Sequence, residues 1–150
     1  MDQGELRERL ESLVAEAGLI LVDLSVGRIG RRVAVRLLVD RVGRVSVNEC
    51  AALSRTVMDF LDSGDPLGIG NDDYRLEVGS PGVGRPLESE ADWRRTAGRT
   101  LRIETDEGAF TGILEGSGGG ALRFADGRVV ETGSIRRAVE VLEDPPRRDT

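Results

Sequence analysis

Between residues 79 and 87 the chain reads GSPGVGRPL, with three glycines and two prolines in nine positions and no apolar period. Proline fixes φ and glycine frees it, so such a run suits neither a helix nor a strand interior and marks a junction. It separates two halves whose hydrophobic patterns differ. A chain of 150 residues has room for two small domains. We place them at 1–83 and 84–143, followed by a charged, proline-rich tail over 144–150 that reads as disordered.

Upstream of the junction, Leu6, Leu10, Leu13, Val14 and Ala17 recur at helical spacing, and Gly18 stands where a C-cap glycine belongs. Ile20, Val22, Leu24 and Val26 then alternate with Leu21, Asp23 and Ser25, and Val33, Val35, Leu37 and Val39 alternate with Arg32, Ala34, Arg36 and Leu38. The two strands predict a hairpin across Gly27 to Arg31. In SVNECAALSRTVMDFLD, Ser46 and Glu49 form a capping box, and the helix buries Cys50, Leu53, Val57 and Leu61. A third strand places Tyr74, Leu76 and Val78 on one side and Arg75 and Glu77 on the other. The order α-β-β-α-β predicts a small sheet with two helices packed on one face. Downstream, strands are expected from Leu101, Ala109, Ala121, Val129 and Ala138, mostly divided by glycine or aspartate turns. That spacing predicts an SH3-like (Sm-type) small β-barrel, so the class is α+β.

Composition narrows the chemistry. All 21 basic residues are arginine, and histidine is absent. No Ser-His-Asp or Cys-His pair, imidazole base, histidine metal ligand, lysine P-loop or Schiff base can be assembled. The single cysteine, Cys50, reads as core and suits a reducing compartment. No basic segment leads into an apolar run, and no stretch approaches the ~20 apolar residues of a membrane span. The expectation is a cytoplasmic monomer without membrane contact, catalytic residue, cofactor or metal. A magnesium site from Asp72, Asp73 and Glu77 is disfavoured because adjacent carboxylates diverge on a strand and no phosphate cradle accompanies them. The glycine-rich run Gly116 to Gly120 lacks the strand-to-helix setting of a nucleotide loop and reads as a mobile hairpin turn.

The net charge of −6 is unevenly spread: residues 28–44 sum to +5 and residues 85–102 to +2, within an otherwise acidic chain. On an alternating strand Arg32 and Arg36 point away from the buried valines, with Arg28 and Arg31 flanking the turn. Arginine forks match phosphate oxygens, so Arg28, Arg31, Arg32 and Arg36 are candidate RNA contacts. A solvated strand face balancing acidic helices explains the same pattern. The second island adds Arg85, Arg94 and Arg95, with Arg99 and Arg102 beyond them. Trp93, the only tryptophan, reads as a core anchor more than a base-stacking platform.

The stretch YRLEVGSPGVGRPL, Tyr74 to Leu87, resembles the signature of the ribosome maturation factor RimP family. The capped helix before it and the short strands after it extend the resemblance over nearly the whole chain. The resemblance implies an α/β domain followed by an SH3-like barrel. It also implies a non-enzymatic factor that binds the free small (30S) ribosomal subunit and assists its late assembly. Its partners would be 16S rRNA and a basic small-subunit protein near the decoding region. Ser80, Pro81, Gly82, Arg85 and Pro86 form the interdomain junction in this reading, and Arg85 lies where both domains could share a surface. The chain departs from the family pattern at Gly79, where a second serine is common, at Val83, where leucine is common, and at Gly84, where an aspartate is common. The last substitution removes an acid that could cap the turn or pair with Arg85, leaving the junction more flexible. Two rivals stand beside this reading: a protein-protein interaction module that does not contact RNA, and a metal-assisted enzyme built on Asp72, Asp73 and Glu77.

Overall fold

The structure, a computed structural model, describes residues 2–69 and 73–142. The tail over 144–150 and Asp72 lie outside the described residues. The chain divides into two compact units, Met1–Pro81 and Gly82–Thr150, which meet inside the glycine- and proline-rich stretch.

In the first unit the order is α1 (Gln3–Glu16), β1 (Ile20–Ile29), β2 (Arg32–Asp40), α2 (Val47–Leu61) and β3 (Tyr74–Gly79). Helix α1 ends in a Schellman arrangement: the Leu19 N–H bonds the Val14 carbonyl at 3.1 Å and the Gly18 N–H bonds that of Ala15 at 2.9 Å. The closure needs a left-handed residue, and Gly18 sits at φ +77°. Helix α2 begins with both capping-box bonds, the Glu49 N–H to Ser46 Oγ at 3.0 Å and the Ser46 N–H to a Glu49 carboxylate oxygen at 2.9 Å. The Ser46 N–H is also the first cause holding the Glu49 carboxyl below its usual pKa.

The sheet order is β1-β2-β3, antiparallel between β1 and β2 and parallel between β2 and β3. Val33, Val35, Leu37 and Val39 of β2 pack with Leu6, Leu10 and Val14 of α1 and Leu53, Val57 and Leu61 of α2, so both helices cover one face. Cys50 is half-buried against this core, and burial is the first cause raising its thiol pKa, which leaves it a poor nucleophile. Tyr74, at the start of β3, donates its hydroxyl to Asp62 at 2.6 Å. Burial first, and that bond second, push its pKa up to about 12.

The alternation expected of β1 is broken. The register jumps between Leu21, opposite Val39, and Asp23, opposite Leu38. This bulge makes Val22 the extra residue, and Leu21, Leu24 and Val26 are the β1 side chains that reach the core.

The second unit opens with a helix not expected from the sequence, α3 (Glu90–Arg95), followed by β4 (Thr100–Thr105), β5 (Gly108–Gly118), β6 (Ala121–Phe124), β7 (Val129–Glu131) and β8 (Ile135–Glu140). The strands are antiparallel in the order β7-β6-β5-β4-β8. That order is linear with β7 and β8 at its ends, so among the described residues the sheet does not close into a ring. The core holds Leu87, Trp93, Leu101, Ile103, Leu114, Leu122 and Phe124, with Trp93 buried as a core anchor. Only the end of the glycine-rich run is turn. Gly116, Ser117 and Gly118 still belong to β5, and the chain reverses at Gly119 and Gly120, at φ +62° and +78°. Strand β8 starts at Ile135, three residues before the expected Ala138, after a 3-10 turn over Thr132–Ser134.

Candidate nucleic-acid interface

With the valines of β2 turned to the helices, Arg32, Ala34 and Arg36 face the other way. Register places Ser25 and Gly27 of β1 opposite Arg36 and Ala34, and Arg75 and Glu77 of β3 beside Ala34 and Arg36. Ser25, Gly27, Arg32, Ala34, Arg36, Arg75 and Glu77 are all exposed. The outcome is an open stretch of sheet face carrying three arginines, one glutamate and small residues, and the same side continues to Asp23 opposite Leu38, which is buried. None of these seven side chains is aromatic, so the face offers guanidinium groups for phosphate and no ring on which a base could stack.

Glu77 lies between two of the arginines. Its carboxylate is 3.8 Å from Arg36 Nε through Oε2 and 3.3 Å from Arg75 Nη2 through Oε1. Exposed pairs of this kind are worth about 0–1 kcal/mol each, because water screens them and two long side chains must be ordered. They shape the local field more than they hold the fold.

The sequence-predicted arginines divide. Arg32 and Arg36 share the open face, and Arg31 is exposed in the two-residue turn beside it. Arg28 does not join them: it pairs with Val33, which faces the helices, so Arg28 projects to the helix-covered side at the hairpin end. Arg41 and Arg44 lie past the far end of β2, about 30 Å of strand from the hairpin. There Arg41 pairs with Glu49 at 3.1 Å, and Asp40 accepts the Arg41 and Val45 N–H groups at 2.9 and 3.3 Å.

In the second unit the unexpected helix decides the outcome. Neighbouring residues on a helix point about 100° apart, so Arg94 is exposed while Arg95 turns inward. Arg95 is 1% exposed, with its Nε 3.1 Å from Asp92 Oδ1. It is a buried structural cation and drops out of any solvent-facing patch. Arg99 is buried against Glu140, with 3.2 Å between Nη1 and Oε1, and Arg102 is exposed beside Glu104 at 3.5 Å. Arg85 is half-buried. Arg75 joins the open face without being among the sequence-predicted contacts. Its alternation with Leu76 is visible in the residues, but the position of β3 beside β2 is not. The described residues contain no cluster of metal-ligating side chains, and none of their helices is long and apolar enough to cross a membrane.

Asp92 organises the start of α3. It accepts the N–H groups of Glu88 and Ser89 at 2.8 and 3.1 Å, while its own N–H bonds Ser89 Oγ at 3.1 Å. Burial alone would raise its pKa, but the two N–H donors and Arg95 outweigh burial and hold the carboxyl below its usual range. A depressed folded-state pKa contributes stability that is complete above the unfolded value, about pH 4, and is lost as pH falls through the lower folded value. Asp92→Asn should therefore melt below the parent at neutral pH, with the gap closing as the solution is acidified. Thermal melts followed by Trp93 fluorescence across that range check this, and a gap independent of pH would contradict it.

Elsewhere in this unit an open groove is lined by Asp106, Glu107, Phe110, Arg128 and Glu131. The Arg128 guanidinium lies over the Phe110 ring, 4.4 Å from its centroid, and Arg136 pairs with Asp106. The charged groups of the lining, Asp106, Glu107, Glu131 and Arg128, sum to −2, and Arg136 offsets part of that at Asp106.

Comparison with known proteins adds an independent line. A sequence-family model described as RimP N-terminal domain matches residues 9–84. A protein of Frankia casuarinae named "Ribosome maturation factor RimP" is 42% identical over 105 residues, covering 69% of this chain and 39% of that protein. The chain thus aligns with well under two thirds of that relative's length.

Proposed function

Because the chain belongs to the RimP family, we propose that it is a ribosome maturation factor that binds the free small (30S) ribosomal subunit and assists its late assembly without catalysis. The observation that carries the reading is the family match over 9–84, the stretch that contains the arginine-bearing sheet. Arg32, Arg36 and Arg75, with Arg31 beside them, contact 16S rRNA through phosphate in this account, and Arg94 and Arg85 are secondary contacts from the second unit. The acidic groove around Asp106, Glu107 and Glu131 receives a basic small-subunit protein near the decoding region, where charge complementarity speeds and orients association. The five-stranded unit is an SH3-like fold in its partly open form. The protein works in the cytoplasm as a monomer.

One observation favours a second reading. Arg36 and Arg75 both reach Glu77, as they would on a solvated face that touches no RNA. A protein-only interaction module predicts binding that survives nuclease treatment. Co-sedimentation of the purified protein with small subunits, large subunits and 70S particles separates the two. The proposal expects salt-sensitive association with free small subunits; no association at any salt concentration contradicts it.

A further inference from the structure

We infer that Glu77 is an internal stand-in for phosphate on the open sheet face, and that the face takes the sugar-phosphate backbone of an RNA helix by exchanging that carboxylate for a phosphate. The inference rests on the rRNA-contact reading above and specifies how that contact is made.

Three observations carry it. First, Glu77 offers one carboxylate oxygen to Arg36 and the other to Arg75, so two guanidinium groups from adjacent strands converge on one anion. A phosphate presents the same feature, a pair of oxygens able to accept from two forks at once. Second, both pairs are open to water: Arg36, Arg75 and Glu77 have side-chain exposures of 60%, 75% and 54%, so the carboxylate can swing away at little cost. Third, Ser25, Gly27 and Ala34 keep the surface around these groups low and free of rings. A ligand recognised by base stacking would need aromatic side chains here, whereas a backbone needs only charge and room.

With Asp23 on the same side, three arginines and two acids leave the face with an excess of one positive charge, and Glu77 cancels part of what the arginines could otherwise give to RNA. An anion fixed among the cations lowers affinity and favours release. It acts as a competitor tethered on the same strand as Arg75, held within reach of both guanidinium groups.

The test is a titration of the full chain, as parent, Glu77→Gln and Arg36→Ala, against a short labelled A-form RNA duplex and its separated single strand. Fluorescence anisotropy over a salt series reads the affinity. Glu77→Gln keeps the size of the side chain and removes its charge. It should bind the duplex about three- to tenfold more tightly at low salt, from the release of two exposed pairs. Its plot of log affinity against log salt should be steeper by about one unit, as a solvent counterion released on binding takes the place of the tethered carboxylate. Arg36→Ala should bind more weakly than the parent. If Glu77→Gln binds no better than a parent that does bind RNA, the stand-in role is overturned while the rRNA-contact reading remains. Preference for the single strand over the duplex overturns the helical-backbone assignment. If no form binds RNA although the parent still sediments with nuclease-treated small subunits, the face serves a protein partner and both readings of it fall.

Discussion

Replacing Arg99 by alanine is expected to destabilise the C-terminal unit by about 3–5 kcal/mol, the usual cost of leaving one partner of a buried ion pair uncompensated. Arg99 and Glu140 are 8% and 4% exposed, and their pair joins the chain just ahead of β4 to the last residue of β8. The converse substitution sharpens the expectation. Arg99→Met combined with Glu140→Leu removes both charges and retains bulk, and should recover most of the lost stability, because apolar replacement of a buried pair is often neutral. The molecule carries its own reporter for this unit: Trp93 is the only tryptophan and lies in the C-terminal core. Urea unfolding followed by its fluorescence should show a lower midpoint for Arg99→Ala with an unchanged slope. A loss below about 1 kcal/mol would mean that the pair behaves like an exposed one.

The second large effect concerns binding. Removing Arg32, Arg36 and Arg75 together should weaken association with small subunits by about ten- to hundredfold at low salt, given what charged hydrogen bonds contribute. The salt dependence should become shallower by about two units, one for the phosphate shared by Arg36 and Arg75 and one for the phosphate met by Arg32. All three side chains are exposed, so the circular dichroism spectrum and the Trp93 transition should not move. Arg28→Ala is the internal control. It removes an arginine from the same stretch of sequence but from the opposite side of the sheet, and should change binding little. Equal losses from Arg28→Ala and Arg36→Ala would point to bulk charge in place of a defined face.

Much of this is legible in the residues. The period of α1, the capping box of α2 and the alternation of β2 as far as Leu37 each follow from local chemistry and are present in the fold, whereas Leu38 and Asp40, expected on the solvent side by the same alternation, are buried. What escapes depends on pairings distant in sequence or on segments too short for a period. Strand β1 opens on an unbroken apolar run from Leu19 to Val22, so nothing local shows where its bulge falls; pairing with β2 decides it. Helix α3 has six residues, and its one local signal is Ser89 followed three positions later by Asp92. Without that helix, Arg94 and Arg95 look alike. The pairing of β3 beside β2 is equally unreadable, although it brings Arg75 and Glu77 to Arg36 and so defines the candidate face. Charge counts along the chain locate the arginines, and only tertiary structure sorts them into exposed, paired and buried.

The proposed role in small-subunit maturation is tested most directly by the sedimentation profile of ribosomal particles from cells lacking the protein, with and without a plasmid copy. The account predicts that immature small subunits accumulate, with free large subunits in excess. It further predicts that the parent copy restores the profile and that the copy lacking Arg32, Arg36 and Arg75 restores it less well. A profile unchanged by loss of the protein would contradict it.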